Sequence, residues 1–296
     1  MSSPREHRNA VLTLILCTFL WSTAGVATRQ LERAEGFEVA FWRSLFCALF
    51  VLVALAWQHR ERWWRVLAGS GTVGLASGLM WAVMFTAFML ALAHTTVANT
   101  LVVMSVAPLL AALLGWVVLK QPIAPRTWGA ITLAGVGIFW MVRDQLTGDG
   151  LAGMAIAFAV PVASATNIIL LKRSGARIDL VPAVAIGALM SCALSLPIAW
   201  PVSVGWHDLA ILAALGFFQL GLPCMLLVRV ARHLTPHEIA LLALLEVVLG
   251  PLWAWIGAGE QPSVATLQGG TLVISALVLN TLVSLRPRRR LTVTDV

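Results

Sequence analysis

The sequence predicts an all-α membrane protein of ten transmembrane helices, arranged as two inverted five-helix repeats with the N- and C-termini cytoplasmic. Three observations predict this fold class: the composition, the lengths of the apolar segments and the distribution of positive charge. Of the 296 residues, 59% are hydrophobic and 11% are charged, whereas a soluble domain carries roughly 25% charged residues. The protein surface therefore suits a lipid bilayer, and we expect the bilayer to be a partner of the protein.

Ten apolar segments follow one another along the chain. A spanning helix needs about 20 mainly apolar residues to cross a hydrocarbon core of about 30 Å. No intervening segment is long enough to bury a core of its own, so a separate soluble catalytic domain is excluded. The predicted spans are 9–29, 37–57, 66–93, 95–119, 126–142, 150–171, 181–199, 208–230, 236–257 and 265–285.

The positive charges orient these spans. With the N-terminus inside, sixteen of the twenty Lys and Arg residues fall on the cytoplasmic side, three fall outside and Arg43 lies within a span. Positive charge accumulates in cytoplasmic loops, so this asymmetry supports the orientation and the count of ten. The net charge of +7 does not indicate nucleic acid, because the basic residues are dispersed over short loops.

The N-terminus has an alternative interpretation. Arg5 and Arg8 precede an apolar run, as in a cleavable signal peptide. Cleavage would remove the first helix and leave nine, and the apolar run is longer than a typical signal core. A spanning helix is therefore the preferred prediction, in a protein of the bacterial inner membrane.

Two halves of five helices each must enter the membrane in opposite orientations, because five is an odd number. This geometry occurs in many secondary transporters. We predict repeats at 9–142 and 150–285, followed by a basic cytoplasmic tail at 286–296. At an offset of 139 residues the halves share a weak pattern, which pairs His94 with His233, Trp116 with Trp255, and Gln121 with Glu260.

Several short motifs are similar to those of the EamA-type drug/metabolite transporters. They are Leu20-Trp21-Ser22, Arg43, Pro108 thirteen residues before Gln121, Leu245-Glu246 and Gly259-Glu260. Gln121 departs from the Glu usual in the first half, and Val247 stands where a Pro often follows Glu246. The resemblance implies ten helices in two repeats, and it implies transport of amino acids, notably aromatic or hydrophobic ones, or of cationic drugs. Bacterial aromatic and neutral amino-acid exporters are the expected relatives.

Two charged residues lie inside predicted spans, where a charge costs about 2.5–3.5 kcal/mol at the helix centre. Glu246 is ten residues from Pro236, or roughly 15 Å along the helix, and is a candidate proton or cation site. The alternative is a neutral carboxyl that bonds a neighbouring helix. For Arg43, snorkelling to the interface or structural pairing is expected first, and the functional alternative is a partner for a substrate carboxylate.

Uncharged side chains complete the predicted cavity. Polar residues within spans are more often contacts between helices than ligand contacts, and the aromatic and thioether groups could pack against an apolar substrate or within the core. The candidates beside Arg43 and Glu246 are Trp21, Trp81, Met84, Asn99, Ser164, Asn167 and Gln219.

Prolines within spans predict kinks or breaks, each of which frees a backbone carbonyl. Such positions are candidate hinges for alternating access, although kinks also occur without any transport role. They are Pro108, Pro161, Pro223 and Pro251.

Two motifs are rejected as cofactor or metal sites. The run 69–74 matches a dinucleotide fingerprint by letter, but no βαβ unit surrounds it, and with Gly78 it predicts a helix-packing face. His237-Glu238 begins like a zinc-protease motif, yet Leu241 stands where the second His is required. We expect no cofactor and no metal.

The sequence thus favours a secondary transporter that exports amino acids or similar amphipathic metabolites, with protons as a candidate coupling ion. An intramembrane enzyme is one alternative, but no nucleophile and base converge at membrane depth. A scaffolding membrane protein without transport activity is the other alternative. It would leave unexplained Glu246 and the prolines of spans four and nine, Pro108 and Pro251.

Overall fold

The computed structural model describes residues 4–143, 149–174, 180–230, 233–234 and 236–285. Within these ranges the chain is helical and contains no β-strand. A 3₁₀ turn, Arg60–Arg62, follows α3, and a π-helical segment, Leu215–Gly221, joins α11 to α12. The α-helices are α1 (Pro4–Ser22), α2 (Ala24–Thr28), α3 (Gly36–His59), α4 (Trp63–Ala68), α5 (Gly71–His94), α6 (Val97–Met104), α7 (Ala107–Leu119), α8 (Pro125–Arg143), α9 (Asp149–Ser174), α10 (Leu180–Ala199), α11 (Trp206–Ala214), α12 (Leu222–Val230), α13 (Pro236–Ala258) and α14 (Val264–Leu285).

Eight helical segments of the described chain are long and apolar enough to cross a membrane. They coincide with the first four, the sixth to eighth and the tenth predicted spans. The fifth predicted span coincides with α8, and the ninth coincides with α13, whose apolar part is Leu242–Ala258. The protein is therefore an all-helical, multi-pass membrane protein, and the count of ten spans stays a prediction.

Four predicted spans differ from a single continuous α-helix. The first is divided between α1 and α2, and the eighth contains the π-helical segment. The third was predicted to begin at residue 66, but the helix that forms this span, α5, begins at Gly71. Residues 66–68 belong to the preceding helix α4, and the φ of +58° at Gly71 is one that glycine readily adopts. The fourth span is broken into α6 and α7, and Pro108 lies in the first turn of α7. Proline is tolerated there because its missing N–H would be unpaired anyway.

The other three prolines that were predicted as hinges lie within helices. Pro161 and Pro251 are inside α9 and α13, which continue through them. Pro223 is the second residue of α12, directly after the π-helical segment. The break at Pro108 thus has no equivalent interruption in α13, its counterpart in the second half.

The helix contacts are symmetric between the two halves of the chain. Helix α3 packs on α10, and α8 packs on α14. The contact of α5 with α10 matches that of the π-helical segment with α3, and the contact of α7 with α9 matches that of α13 with α1. The contact of α5 with α9 likewise matches that of α12 with α1. In these contacts, each predicted span of the first half, one to five, thus matches its counterpart in the second half, six to ten.

Glycines allow the closest of these crossings. A Cβ on Gly78 of α5 would clash with Ile186 of α10, so this residue packs between helices as predicted, whereas a Cβ on any glycine of the run 69–74 would meet no helix other than α4. A Cβ on Gly137 of α8 would lie 2.7 Å from the backbone oxygen of Gly269 in α14. Small residues at such crossings let two backbones approach without a hydrophobic driving force in lipid.

We predict that Gly137→Ala lowers the melting temperature in detergent, whereas Gly135→Ala in the same helix does not. The added methyl at 137 meets backbone and costs roughly 1–3 kcal/mol. At 135 a Cβ meets nothing within 4 Å, and alanine gains about 1 kcal/mol of helix propensity. Thermal unfolding followed by size-exclusion fluorescence measures the difference, and equal melting temperatures would contradict the packing.

Candidate substrate-binding site

Arg43 lies inside the helix bundle. It is seven residues into α3, roughly 10 Å along the helix, and its side chain is 2% exposed. The guanidinium does not reach the surface, so its position corresponds to pairing rather than to snorkelling. A buried guanidinium needs hydrogen-bond partners for its five N–H groups.

Gln219 supplies the first of these partners. Its Oε1 accepts hydrogen bonds from Arg43 Nε at 3.1 Å and from Nη2 at 2.8 Å. Its Nε2 donates to the backbone oxygen of Trp21 at 3.1 Å. The ring of Phe88 lies 5.5 Å from Arg43 Cζ, within cation–π range.

Arg43 Nη1 is buried and has no hydrogen-bond partner within the described chain. Leaving a buried charged donor unpaired is costly, and an unpartnered donor of this kind is available to a ligand. Glu246 of α13 interacts electrostatically with Arg43 and is of opposite charge type.

Glu246 is half-buried and forms no salt bridge with Arg43. Over the described ranges its carboxylate forms no hydrogen bond and no ion pair within 4.0 Å. Its electrostatic influence also reaches Cys224 of α12. Two opposite charges therefore share one region of the bundle, and each keeps unfilled hydrogen-bonding capacity. We call Trp21, Arg43, Phe88, Gln219 and Glu246 the Arg43 centre.

The local structure explains why these side chains meet. Gln219 is in the π-helical segment, and π-bulges often occur at functional sites because they re-aim side chains. Gly216 of the same segment lies against the backbone of Arg43 and Cys47, which brings this segment close to α3. Since α3 and α5 belong to the first half, and the π-helical segment and α13 to the second, the Arg43 centre lies between the halves.

Trp81 and Met84 extend this site along α5. With Phe88 they occupy positions i, i+3 and i+7, one face of a helix. Trp81 packs beside Phe85 with ring centroids 5.5 Å apart, and its buried Nε1 has no partner in the described chain. Met84 is partly buried against the main core. Of the three, Phe88 lies beside the guanidinium, and Trp81 and Met84 continue the apolar face along α5.

Two further candidates lie on α9, which packs on α5. Asn167 is buried, and its Oδ1 lacks a partner within the described residues. Ser164, one turn earlier, is partly buried. The structure gives neither residue a contact with Arg43.

Asn99 forms contacts between helices, which is the alternative predicted to be more common for polar residues within spans. It is fully buried, donates to Thr95 Oγ1 at 3.2 Å and accepts from Thr266 Oγ1 at 2.8 Å. Both ends of the amide are therefore occupied, and the residue joins α6 to α14.

Sequence reasoning missed two features near the centre. Phe88 was not singled out, although its spacing from Trp81 would have indicated it. A chain of hydroxyls was also missed: Ser191 Oγ lies 2.8 Å from Ser44 Oγ and 2.8 Å from Thr86 Oγ1. This chain joins α3, α5 and α10 directly beside Arg43, and a single serine or threonine in a span gives no signal of such a partner.

A second network closes the predicted outer end. Arg29 Nε lies 2.7 Å from Glu260 Oε2, and the same guanidinium donates to the backbone oxygens of Leu92 at 2.6 Å and Thr95 at 3.0 Å. Glu260 Oε1 accepts from the N–H of Val97 at 2.6 Å. We call Arg29 and Glu260 the outer clasp, because they join α2, α5, α6 and the α13–α14 loop.

The loop beside the clasp is also fixed. The buried carboxylate of Asp208, at the start of α11, accepts hydrogen bonds from the N–H groups of Glu32, Arg33 and Ala34 at 2.8–2.9 Å. A shallow groove of about 330 Å³ opens next to Arg29, with Val39, Met89 and Leu92 in its lining. Arg29 therefore belongs both to the clasp and to the lining of this groove.

Comparison with known proteins agrees with this architecture. The model of the EamA-like transporter family matches residues 8–143 and again residues 151–282. An uncharacterized transporter of Pseudomonas aeruginosa, PA0485, is 28% identical over 141 residues, which cover 47% of each chain. The pseudopaline exporter CntI of Pseudomonas aeruginosa is 19% identical over 275 residues, which cover 92% of this chain and 95% of CntI.

A solved crystal structure shares the fold. It superposes with a TM-score of 0.63 at 19% identity, and the match covers 93% of this chain and 97% of the other. The two family matches together span nearly the whole sequence, which confirms the resemblance carried by the short motifs. The protein is thus a transporter rather than an enzyme, and the chain belongs to the EamA-like transporter family.

Proposed function

We propose that this protein is a secondary transporter of the bacterial inner membrane that exports amino acids or similar small amphipathic metabolites by alternating access. In this proposal the two halves are inverted five-helix repeats with cytoplasmic termini. They rock against each other around the Arg43 centre, and they expose it to one side of the membrane at a time.

The observation that supports this function is the presence between the halves of two ionisable side chains of opposite type, Arg43 and Glu246, that interact electrostatically without a salt bridge. Ionisable residues within a membrane span usually mark a substrate or ion pathway. Arg43 offers a free Nη1 donor, and Glu246 offers a carboxylate without a partner in the described chain. A zwitterion satisfies both at once, with its carboxylate on Arg43 and its ammonium group on Glu246.

The apolar face of α5 supports a hydrophobic or aromatic side chain on the substrate. Phe88 lies beside the guanidinium, and in this proposal it packs against such a group together with Met84 and Trp81, one and two turns away on the same helix face. Aromatic side chains bury large areas, and methionine adapts its shape to irregular ligands. Phenylalanine, tryptophan and related neutral amino acids are therefore the expected substrates.

A cationic drug is the second candidate, since the family resemblance also implies that class. A cation could use Glu246 but would place its charge near the unscreened guanidinium of Arg43. At short range in a medium of low dielectric constant such repulsion is strong. The Arg43 centre therefore favours a zwitterion over a cation.

Alternating access requires the outer clasp to open. In the present conformation the Arg29–Glu260 contact joins elements of both halves. Export then proceeds by loading from the cytoplasm, breakage of the clasp and release outside. The pseudopaline exporter CntI, to which the chain is similar along most of its length, supports this direction.

Counterflow in proteoliposomes tests the substrate class. We expect entry of labelled phenylalanine to be driven by unlabelled phenylalanine or tryptophan inside. Phenylalanine methyl ester, which lacks the carboxylate, and phenylpropionic acid, which lacks the amine, should each drive at least about 10-fold less, because one charge-assisted contact is lost. If the ester drives entry of label as well as phenylalanine does, the role of Arg43 is rejected. If only a quaternary amine drives counterflow, cationic drugs are the favoured substrate class.

Glu246→Gln tests the coupling role. If Glu246 carries a proton during transport, the wild type should accumulate substrate in response to an imposed pH gradient, and the variant should not. The variant should still show residual counterflow, with the amount of protein in the liposomes matched by immunoblot. Identical rates for both proteins at every pH would remove Glu246 from the mechanism, and a wild type that ignores the gradient would make the carrier facilitative.

Glu260→Gln tests the clasp. The amide oxygen can still accept from Val97, but the ion pair with Arg29 is lost, so the outer end should open more often. A reporter, Val39→Cys, lies in the lining of the adjacent groove and is nearly buried. Its labelling by a membrane-impermeant maleimide should rise by about 10-fold, as expected for the loss of one charged hydrogen bond. An unchanged labelling rate would contradict the role of the clasp.

A further inference from the structure

A second groove lies on the outside of the bundle, between α8 and α14. Its volume is about 200 Å³, and apolar side chains such as Leu133, Leu279 and Val283 line most of it. Arg126, the second residue of α8, lies at one end. The groove is remote in the fold from the Arg43 centre, which is built on α1, α3, α5, the π-helical segment and α13.

The two helices are fixed to each other at this end. Arg126 Nη1 donates to the backbone oxygen of Val283 at 3.3 Å, and Thr127 Oγ1 donates to Asn280 Oδ1 at 3.0 Å. Arg126 is exposed, so its remaining N–H groups are free to meet a ligand from the membrane. The guanidinium is thus held over the mouth of the groove by a contact that leaves most of its donors available.

The groove faces the lipid rather than the protein interior. In its lining, Leu279 is 58% exposed and Val283 is 38% exposed. Gly129 also lines the groove, and a Cβ added there would meet no atom within 4 Å. A flexible apolar chain can therefore lie along α8 at this position without displacing any side chain.

The charge distribution indicates which lipid would bind. Arg126 belongs to the predicted cytoplasmic end, where sixteen of the twenty basic residues fall, and four arginines follow α14 in the sequence between residues 286 and 290. Basic pockets between transmembrane helices on this side bind anionic headgroups. A guanidinium can also bind a phosphate with two parallel hydrogen bonds.

We infer that the α8–α14 groove is a binding site for an anionic phospholipid. One acyl chain lies along Gly129 and Leu133, and the headgroup phosphate contacts Arg126. The site is separate from the Arg43 centre, so the inference does not depend on the identity of the transported solute. Bound lipid also covers the line along which α8 and α14 meet, at the predicted pseudo-symmetric contact of the two halves.

Native mass spectrometry of the delipidated full-length protein tests this site. Phosphatidylglycerol and phosphatidylcholine with identical acyl chains are titrated separately, and adducts are counted. We expect the wild type to bind one phosphatidylglycerol in preference to phosphatidylcholine. Arg126→Gln should weaken phosphatidylglycerol binding about five-fold, as expected for one basic residue at a membrane surface, and Arg126→Lys should retain most of it.

Gly129→Leu tests the acyl-chain contact separately, because it fills the groove and leaves the charge in place. It should reduce binding of both lipids. Matched controls are Gly135→Leu, which adds the same side chain to α8 in open space, and Arg62→Gln, which removes an exposed charge from the same predicted side. Both controls should bind phosphatidylglycerol as the wild type does.

Three results would overturn the inference. The wild type could bind both lipids equally, the Arg126→Gln and Gly129→Leu variants could bind as their controls do, or a doubled protein mass could replace the lipid adducts. The last result would assign the groove to a second copy of the chain. Monodisperse elution of each variant excludes misfolding as the cause of lost binding.

Discussion

The burial of one positive charge, Arg43, is the constraint on which the centre of this transporter depends. A guanidinium inside a bundle of apolar helices needs partners, and a second half-chain provides them through Gln219 and, at longer range, Glu246. The π-helical segment, the close approach of Gly216 to α3 and the ring of Phe88 all serve to accommodate this group. Because the partners come from both halves, any motion of one half against the other changes the surroundings of the charge.

The outer clasp is also built on an arginine with partners from both halves, but it lies at the predicted outer end. Arg29 and Glu260 each use their charge for the ion pair and their other atoms for backbone groups at the ends of α5 and α6. Its counterpart position in the first half is Gln121, which carries no charge. The first half therefore has no carboxylate to form the equivalent ion pair, although the helix packing itself is symmetric.

Much of this architecture could be predicted from the sequence, and the reasons are physical. Apolar length and the scarcity of charge define the helices, and the same features made Arg43 and Glu246 conspicuous. The breaks were harder to place, because Pro108 opens a new helix whereas Pro251 stands inside a continuous one. That difference depends on whether neighbouring groups satisfy the freed carbonyl, and composition does not record it.

The contacts between distant residues could not be predicted. Asn99 and Gln219 are both amides inside spans, yet one is fully occupied by Thr95 and Thr266 and the other holds Arg43. Phe88 and the hydroxyl chain at Ser191 are ordinary residues whose role arises from packing across helices. The Arg29–Glu260 pair joins residues far apart in the sequence, and neither residue alone indicates the other.

Equilibrium binding to purified protein tests the central claim most directly, namely that a zwitterion bridges Arg43 and Glu246. Labelled phenylalanine and phenylalanine methyl ester are titrated against the wild type and Arg43→Gln. The account predicts that the variant loses at least about 10-fold in affinity for the amino acid, the value of one charged hydrogen bond, while its weaker affinity for the ester is unchanged. An equal loss for both ligands, or no loss for either, would contradict it.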